Sequence, residues 1–164
     1  MKHDTNTVLA IDPGLRDLGF AILKHGRLVA YGVRTLRPVS YAARIAEASA
    51  LVRSWTEAHR PVALVLEQTH GHPVNWLDAI DRLARGVTRV ARKNDIEIAR
   101  YYPQTVRRLI VGNGNATKQE LAVALVLHFR QLRVYLTQDR KWKERHFGHM
   151  FDAVALALYH DLRR

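Results

Sequence analysis

Four positions in this 164-residue chain could carry chemistry because of where they fall. Asp12 closes the apolar run 8–11 and is followed by Pro13-Gly14, which places a sharp turn just after it; Glu67 closes the apolar run 62–66. A carboxylate directly after a buried strand lies at the edge of an open α/β sheet where ligands gather, although it can also be a helix cap or a surface charge. His149 and Asp152 are three residues apart and so share one helix face. An acid in a first helical turn is also favoured by the helix dipole, which would make them a plain N-terminal charge pair. Three carboxylates and one imidazole in a chain without cysteine suit Mg²⁺ or Mn²⁺ better than zinc, because hard cations prefer oxygen ligands. This composition serves two-metal phosphodiester hydrolysis, in which two ions about 3.5–4 Å apart share a carboxylate, and Asp12 is the natural bridge. An imidazole ligand at His149 makes Mn²⁺ at least as good as Mg²⁺.

A second group of residues suits polyanion contact. Residues 112–118 are glycine-rich and open a helix whose backbone N–H groups can hold a phosphate, with Lys118 in the first turn; no Gly-Lys-Ser/Thr occurs, so this is not a P-loop. In the charged run 139–146, Arg140, Lys141 and Lys143 surround Trp142, a mix suited to phosphate contacts plus base stacking or, more simply, to a solvated loop. With Arg16, His70, Asn113, Asn115 and Thr117 these form the candidate DNA contacts. Serine occurs only as Ser40, Ser49 and Ser54, none in a nucleophile elbow, and His70-Gly71-His72 and His146/His149 read as polar loop residues rather than zinc pairs.

Composition agrees. Lys and Arg total 26 against 15 Asp and Glu, a net charge of +11, which points to nucleic acid as the partner. No basic helix has a broad exposed apolar face, so a membrane-surface role is not supported. Without cysteine there is no disulfide scaffold, thiol nucleophile or Cys-based zinc site, which fits a reducing compartment. The apolar stretches 121–127 and 153–159 fall far short of the ~18 residues needed to span a bilayer. Residues 1–7 lack an apolar signal core, so a cytoplasmic location is expected.

The elements that must position these groups follow from periodicity. Residues 8–11, 20–23 and 27–33 predict an antiparallel three-stranded meander with His25-Gly26 as one turn. Residues 41–59 predict a helix stopped by Pro61, 62–66 a buried strand, 76–93 a helix, 96–102 a strand and 103–111 a short helix. Thr117 and Glu120 have capping-box spacing and start a helix over 118–129; a last helix covers 149–162, buried through the row Met150, Val154 and Leu158. The expectation is one domain over 1–164, an α/β fold with a mixed five-stranded sheet covered by helices on both faces.

Read together, residues 11–20 (IDPGLRDLGF), 64–68 (LVLEQ), 102–118 with Tyr102-Pro103, Val111-Gly112-Asn113-Gly114 and Thr117-Lys118, and His149 through Asp152-Ala153 resemble RuvC-type Holliday junction resolvases, in the same order and at similar separations. The resemblance spans most of the chain. It implies a ribonuclease H-like fold, a homodimer, and divalent-metal cleavage of two like-oriented strands at a four-way DNA junction, with a branch-migration helicase as a further partner. It also implies that Asp12, Glu67, His149 and Asp152 bind two ions and that Lys118 contacts the phosphate near the scissile bond. Two departures stand out. The stretch 69–73 lacks the aromatic wedge the family often carries, and helix 76–93 matches the family's dimer segment only loosely, through Arg85-Gly86-Val87. Other readings of the same residues are a nuclease of this fold acting on flaps, forks or RNA–DNA hybrids, and a non-catalytic junction-binding module.

Overall fold

A computed structural model describes residues 6–68, 75–136 and 141–164; for 75–77 and 141–144 only the backbone is described. The meander is present as β1 (Thr7–Pro13), β2 (Asp17–Lys24) and β3 (Arg27–Thr35). His25 and Gly26 both have positive φ, 50° and 72°, as a two-residue hairpin turn that follows strand twist requires. Then come α1 (Tyr41–His59), β4 (Ala63–Glu67), α2 (Asn75–Lys93), β5 (Glu97–Tyr101), α3 (Pro103–Val111), α4 (Lys118–His128), a 3-10 turn (Arg130–Tyr135) and α5 (Lys141–Leu162). The strands line up as β3-β2-β1-β4-β5. β4 is parallel to both β1 and β5.

Strand alternation splits the core in two. Val8, Ala10, Ala21, Leu23 and Val65 face α3, α4 and α5, while Leu9, Ile11, Phe20, Ile22, Leu64 and Leu66 face α1 and α2. With both faces covered, β4 can be apolar at every position from Ala63 to Leu66, all buried. On the second face Trp55 of α1 stacks on Phe20, ring centroids 4.3 Å apart. Helix ends follow local chemistry. Ser40 caps α1 by accepting from the Ala43 N–H, and Thr117 and Glu120 close the expected capping box on α4. Gly112, at φ 87°, ends α3.

Two expectations need correction. The last helix begins at Lys141 rather than 149, so residues 141–146 are helical and not a loop. The run looks like a loop because it is charged, yet Lys, Glu and Arg are good helix formers and extend a helix past the core it is anchored in. His149 and Asp152 therefore lie well inside α5 and are not a first-turn charge pair. Second, Gly86 and Val87 serve the protomer's own interior. A Cβ at Gly86 would stand 2.5 Å from Ile45 Cγ2 of α1, and Val87 is fully buried. The 3-10 turn after α4 was not anticipated, and among the described residues no helix is long and apolar enough to cross a membrane.

Helix α5 lies directly on β1 and β2. Met150, Ala153, Val154, Ala157 and Leu158 are buried there, and Gly19 of β2 lets the helix backbone touch the sheet, since a Cβ at Gly19 would overlap the His149 carbonyl. Gly19→Ala is therefore expected to lower unfolding stability by about 1–3 kcal/mol through overpacking, measured by urea denaturation; an unchanged midpoint would show that α5 does not depend on this contact.

Candidate active site

Asp12 and Glu67 are brought together by register. Ile11 pairs with Leu66 across the parallel β1–β4 ladder, so the next residues on the two strands are neighbours. Val8 and Ala10 on β1 and Val65 on β4 face α5, and a period of two places Asp12 and Glu67 on that same face. Helix α5 supplies the other half. His149 Nδ1 lies 2.6 Å from Asp12 Oδ2, and Asp152 Oδ2 accepts from Lys118 Nζ at 3.3 Å, Lys118 being the first residue of α4. Asp12, Glu67, Lys118, His149 and Asp152 all line one cleft of about 390 Å³, closed on its far side by Pro103, Gln104 and Arg107 of α3. Groups from five separate elements thus converge.

The Asp-Pro-Gly segment works differently from a rigid turn after the acid. Pro13 is still in the strand, paired with Leu18. Gly14 matters for space, because a Cβ there would come within 2.8 Å of His149 Cε1. The missing side chain is what lets the imidazole lie against the end of β1.

Charge in the cleft is unbalanced toward the negative. Burial pushes the Glu67 carboxyl up to about 7, and the nearby Asp12 and Asp152 charges push the same way against Arg107 and Lys118. Asp152 is also raised, first by burial and then by Asp12, with Lys118 and Arg107 opposing. His149 is raised by its hydrogen bond to Asp12, which favours the imidazolium. Three carboxylates with one imidazole fit a hard divalent cation in donor type, and the strain of crowding them is what such a cation relieves. As they stand, no three of the described acidic and imidazole groups are close enough to hold one ion. Asp12 is engaged by His149 and Asp152 by Lys118.

The candidate DNA contacts divide. Arg16 is exposed in the turn after β1, two residues beyond Gly14, and Asn113 and Asn115 are exposed between α3 and α4, where the Asn115 N–H donates to Asn113 Oδ1. The Thr117 hydroxyl is committed to Glu120 as the α4 cap, so the role of this loop is to aim Lys118. His70 and Arg140 lie outside the described residues, as do the side chains of Lys141, Trp142 and Lys143. Arg107 is the residue that sequence reasoning missed. It faces Glu67 and Asp152, and its Nε is buried with no hydrogen-bond partner among the described residues. The available signal was helical spacing, which puts Pro103, Gln104 and Arg107 on one face of α3.

Comparison with known proteins gives a consistent picture. The family model described as "Crossover junction endodeoxyribonuclease RuvC" matches residues 8–160. A crossover junction endodeoxyribonuclease RuvC from Chlamydia trachomatis is 26% identical over 164 residues, covering 96% of each chain. The match to the RuvC of Nocardia farcinica, 28% identical, covers 70% of this chain and 64% of that protein, so the aligned part is somewhat under two thirds of that relative. The structure of Thermus thermophilus RuvC in complex with Holliday junction substrate superposes with a TM-score of 0.76 at 24% identity, covering 94% of this chain and 92% of that one, which supports the fold.

The raised Glu67 and Asp152 groups have a measurable consequence. A carboxyl whose folded value lies above its unfolded one keeps more protons in the native state, so stability falls as pH rises. For Glu67 that contribution is whole below about 4.5 and is lost as pH passes about 7. In EDTA, Glu67→Gln is expected to flatten the decline in urea midpoint between pH 5 and pH 8 relative to the unmutated protein, leaving the parts due to Asp152 and His149, which are raised as well. Parallel curves for the two proteins would contradict the assigned crowding.

Proposed function

The chain belongs to the RuvC family of crossover junction endodeoxyribonucleases, and from that premise we propose that the cleft between β1, β4 and α5 hydrolyses phosphodiesters at four-way DNA junctions. The observation that carries this reading is the convergence of Asp12 and Glu67 from adjacent strand ends with His149 and Asp152 from α5, faced by Lys118 and Arg107. Acids alone would repel a phosphate. Acids faced by two cationic side chains make a site that binds an anion on one side and cations on the other.

Asp12, Glu67, His149 and Asp152 are the groups that would hold two divalent ions, Mg²⁺ or Mn²⁺. Such ions supply Lewis acidity toward the phosphodiester and the attacking water. Asp12 Oδ2 takes the hydrogen bond of His149 Nδ1, which fixes the imidazole beside the strand end. Lys118 Nζ and the Arg107 guanidinium face the acids across the cleft, where they can neutralise charge growing on phosphate oxygens. Arg16, Asn113 and Asn115 are exposed near the strand and helix ends that frame the cleft, and the net charge of +11 supplies sequence-independent affinity.

A four-way junction presents two strands for cutting, so paired incision calls for two copies of the chain. The homodimer proposed here would use the outer face of α2, where Arg82 pairs with Asp78 at 3.1 Å and Arg85 with Asp81 at 2.6 Å, because Gly86 and Val87 are used up against α1 and the core. A branch-migration helicase is the corresponding supply of junctions.

The test is cleavage of a synthetic four-way junction, a fork and a plain duplex in Mn²⁺ and in Mg²⁺. The unmutated protein is expected to cut the junction in preference, and Asp12→Asn to lose about 10²-fold or more in rate with junction affinity retained. Arg107→Gln should lower the rate while leaving the fold intact. Junction binding without incision in either metal would identify a binding module instead, and equal cutting of forks would move the substrate class.

A further inference from the structure

A second cavity, of about 580 Å³, opens beside the cleft and shares Lys118 and Asp152 with it. Its walls are Ala122 of α4, Tyr135 and Leu136 at the end of the 3-10 turn, and Phe147 and Phe151 of α5; exposed Arg145 stands at its rim. That size lies within the roughly 300–1,000 Å³ typical of small-molecule sites. We propose that this cavity receives an unstacked base of the DNA strand whose phosphate lies at Asp152, the base resting on the Tyr135–Phe147 aromatic pair.

Three observations favour a base over another apolar occupant. The two rings are already in contact, centroids 4.8 Å apart at 59°, and both residues are only half-buried, so an aromatic surface is left facing the cavity. The cavity's mouth carries Lys118 and Arg145, cations that fit the sugar-phosphate chain to which the occupant must be attached. And the cavity runs directly into the catalytic cleft through Asp152, so a nucleotide next to a phosphate bound there needs no detour to reach it. Gly148 completes the arrangement. It sits inside α5, where glycine is among the poorest helix formers. A Cβ there would meet Lys118 Nζ at an ordinary 3.6 Å, so no clash demands glycine, and its missing side chain leaves the cavity wall beside Lys118 uncrowded.

The inference rests on the endonuclease reading for the path of the strand. It adds that the centre of a branch, where bases are unpaired most cheaply, is read through a base as well as through shape. Base–aromatic stacking of this kind corresponds to roughly five- to 150-fold in affinity per base.

The experiment is a double-mutant cycle between protein and DNA. Dissociation constants are measured in Mg²⁺ for Asp12→Asn protein, alone and combined with Phe147→Leu or Tyr135→Leu, on four-way junctions carrying one abasic nucleotide at successive positions around the branch point. Leucine keeps the apolar volume and removes the ring face. At one position the abasic site is expected to weaken Asp12→Asn about tenfold and the Leu variants less than about twofold. Equal penalties in all proteins, at every position, overturn the proposal. The nuclease reading fails separately, if the unmutated protein binds the same junctions yet cuts none of them; if no DNA is bound at all, both are overturned.

Discussion

Three carboxylates cannot be crowded under one helix without something positive to face them, and much of the molecule's active edge is an answer to that constraint. Asp12 is 8% exposed, yet its carboxylate is met by an imidazole at 2.6 Å. Asp152 is met by Lys118, and Glu67, the acid without such a short-range partner in this set, has its carboxyl raised to about 7. Protein cations and a retained proton balance the negative charge in part. Asp12, Glu67, His149 and Asp152, the residues proposed to hold divalent cations, would have that balance completed by them.

Meeting the constraint depends on close approach more than on charge. Gly14 admits the imidazole to the end of β1, and Gly19 admits the α5 backbone to the face of β2. Both glycines have ordinary φ values, so conformational freedom is not their purpose here. Small residues at Ala10, Ala21, Ala153 and Ala157 continue the same close contact along the helix. The distances among the cleft's side chains are therefore set by sheet–helix packing that reaches well beyond the acids themselves, as expected when interiors are close-packed and transmit strain.

Much of this was legible in the chain of residues alone. Alternating and continuous apolar runs located the five strands, since each period has one geometric meaning, and the Thr117/Glu120 spacing located the start of α4. Asp12 and Glu67 stood out because a charge ending an apolar run has few purely structural explanations. What stayed hidden has physical causes too. Arg107 and its neighbour Arg108 look alike until α3 is docked, when Arg107 turns to the acids. The start of α5 was obscured because a polar helix extension and a charged loop share a composition. The packing role of Gly86 was not visible because its partner, Ile45, is 41 residues away in sequence.

Helix α5 links the two halves of the argument. From Met150 onward it is buried in the sheet and anchors the fold; His149 and Asp152 sit where it leaves the core; Arg145, Phe147 and Gly148 lie on the part that projects beyond it. One rigid rod thus carries stability, the two residues proposed as metal ligands and the wall of the second cavity in sequence along its length. A side chain that moved the rod would be felt at all three, because a helix transmits displacement along its axis with little bending. The proposed base contact at Phe147 and the proposed phosphate contact at Asp152 are five residues apart on this one helix, about one and a half turns, so a base seated at the first would help to fix the phosphate at the second.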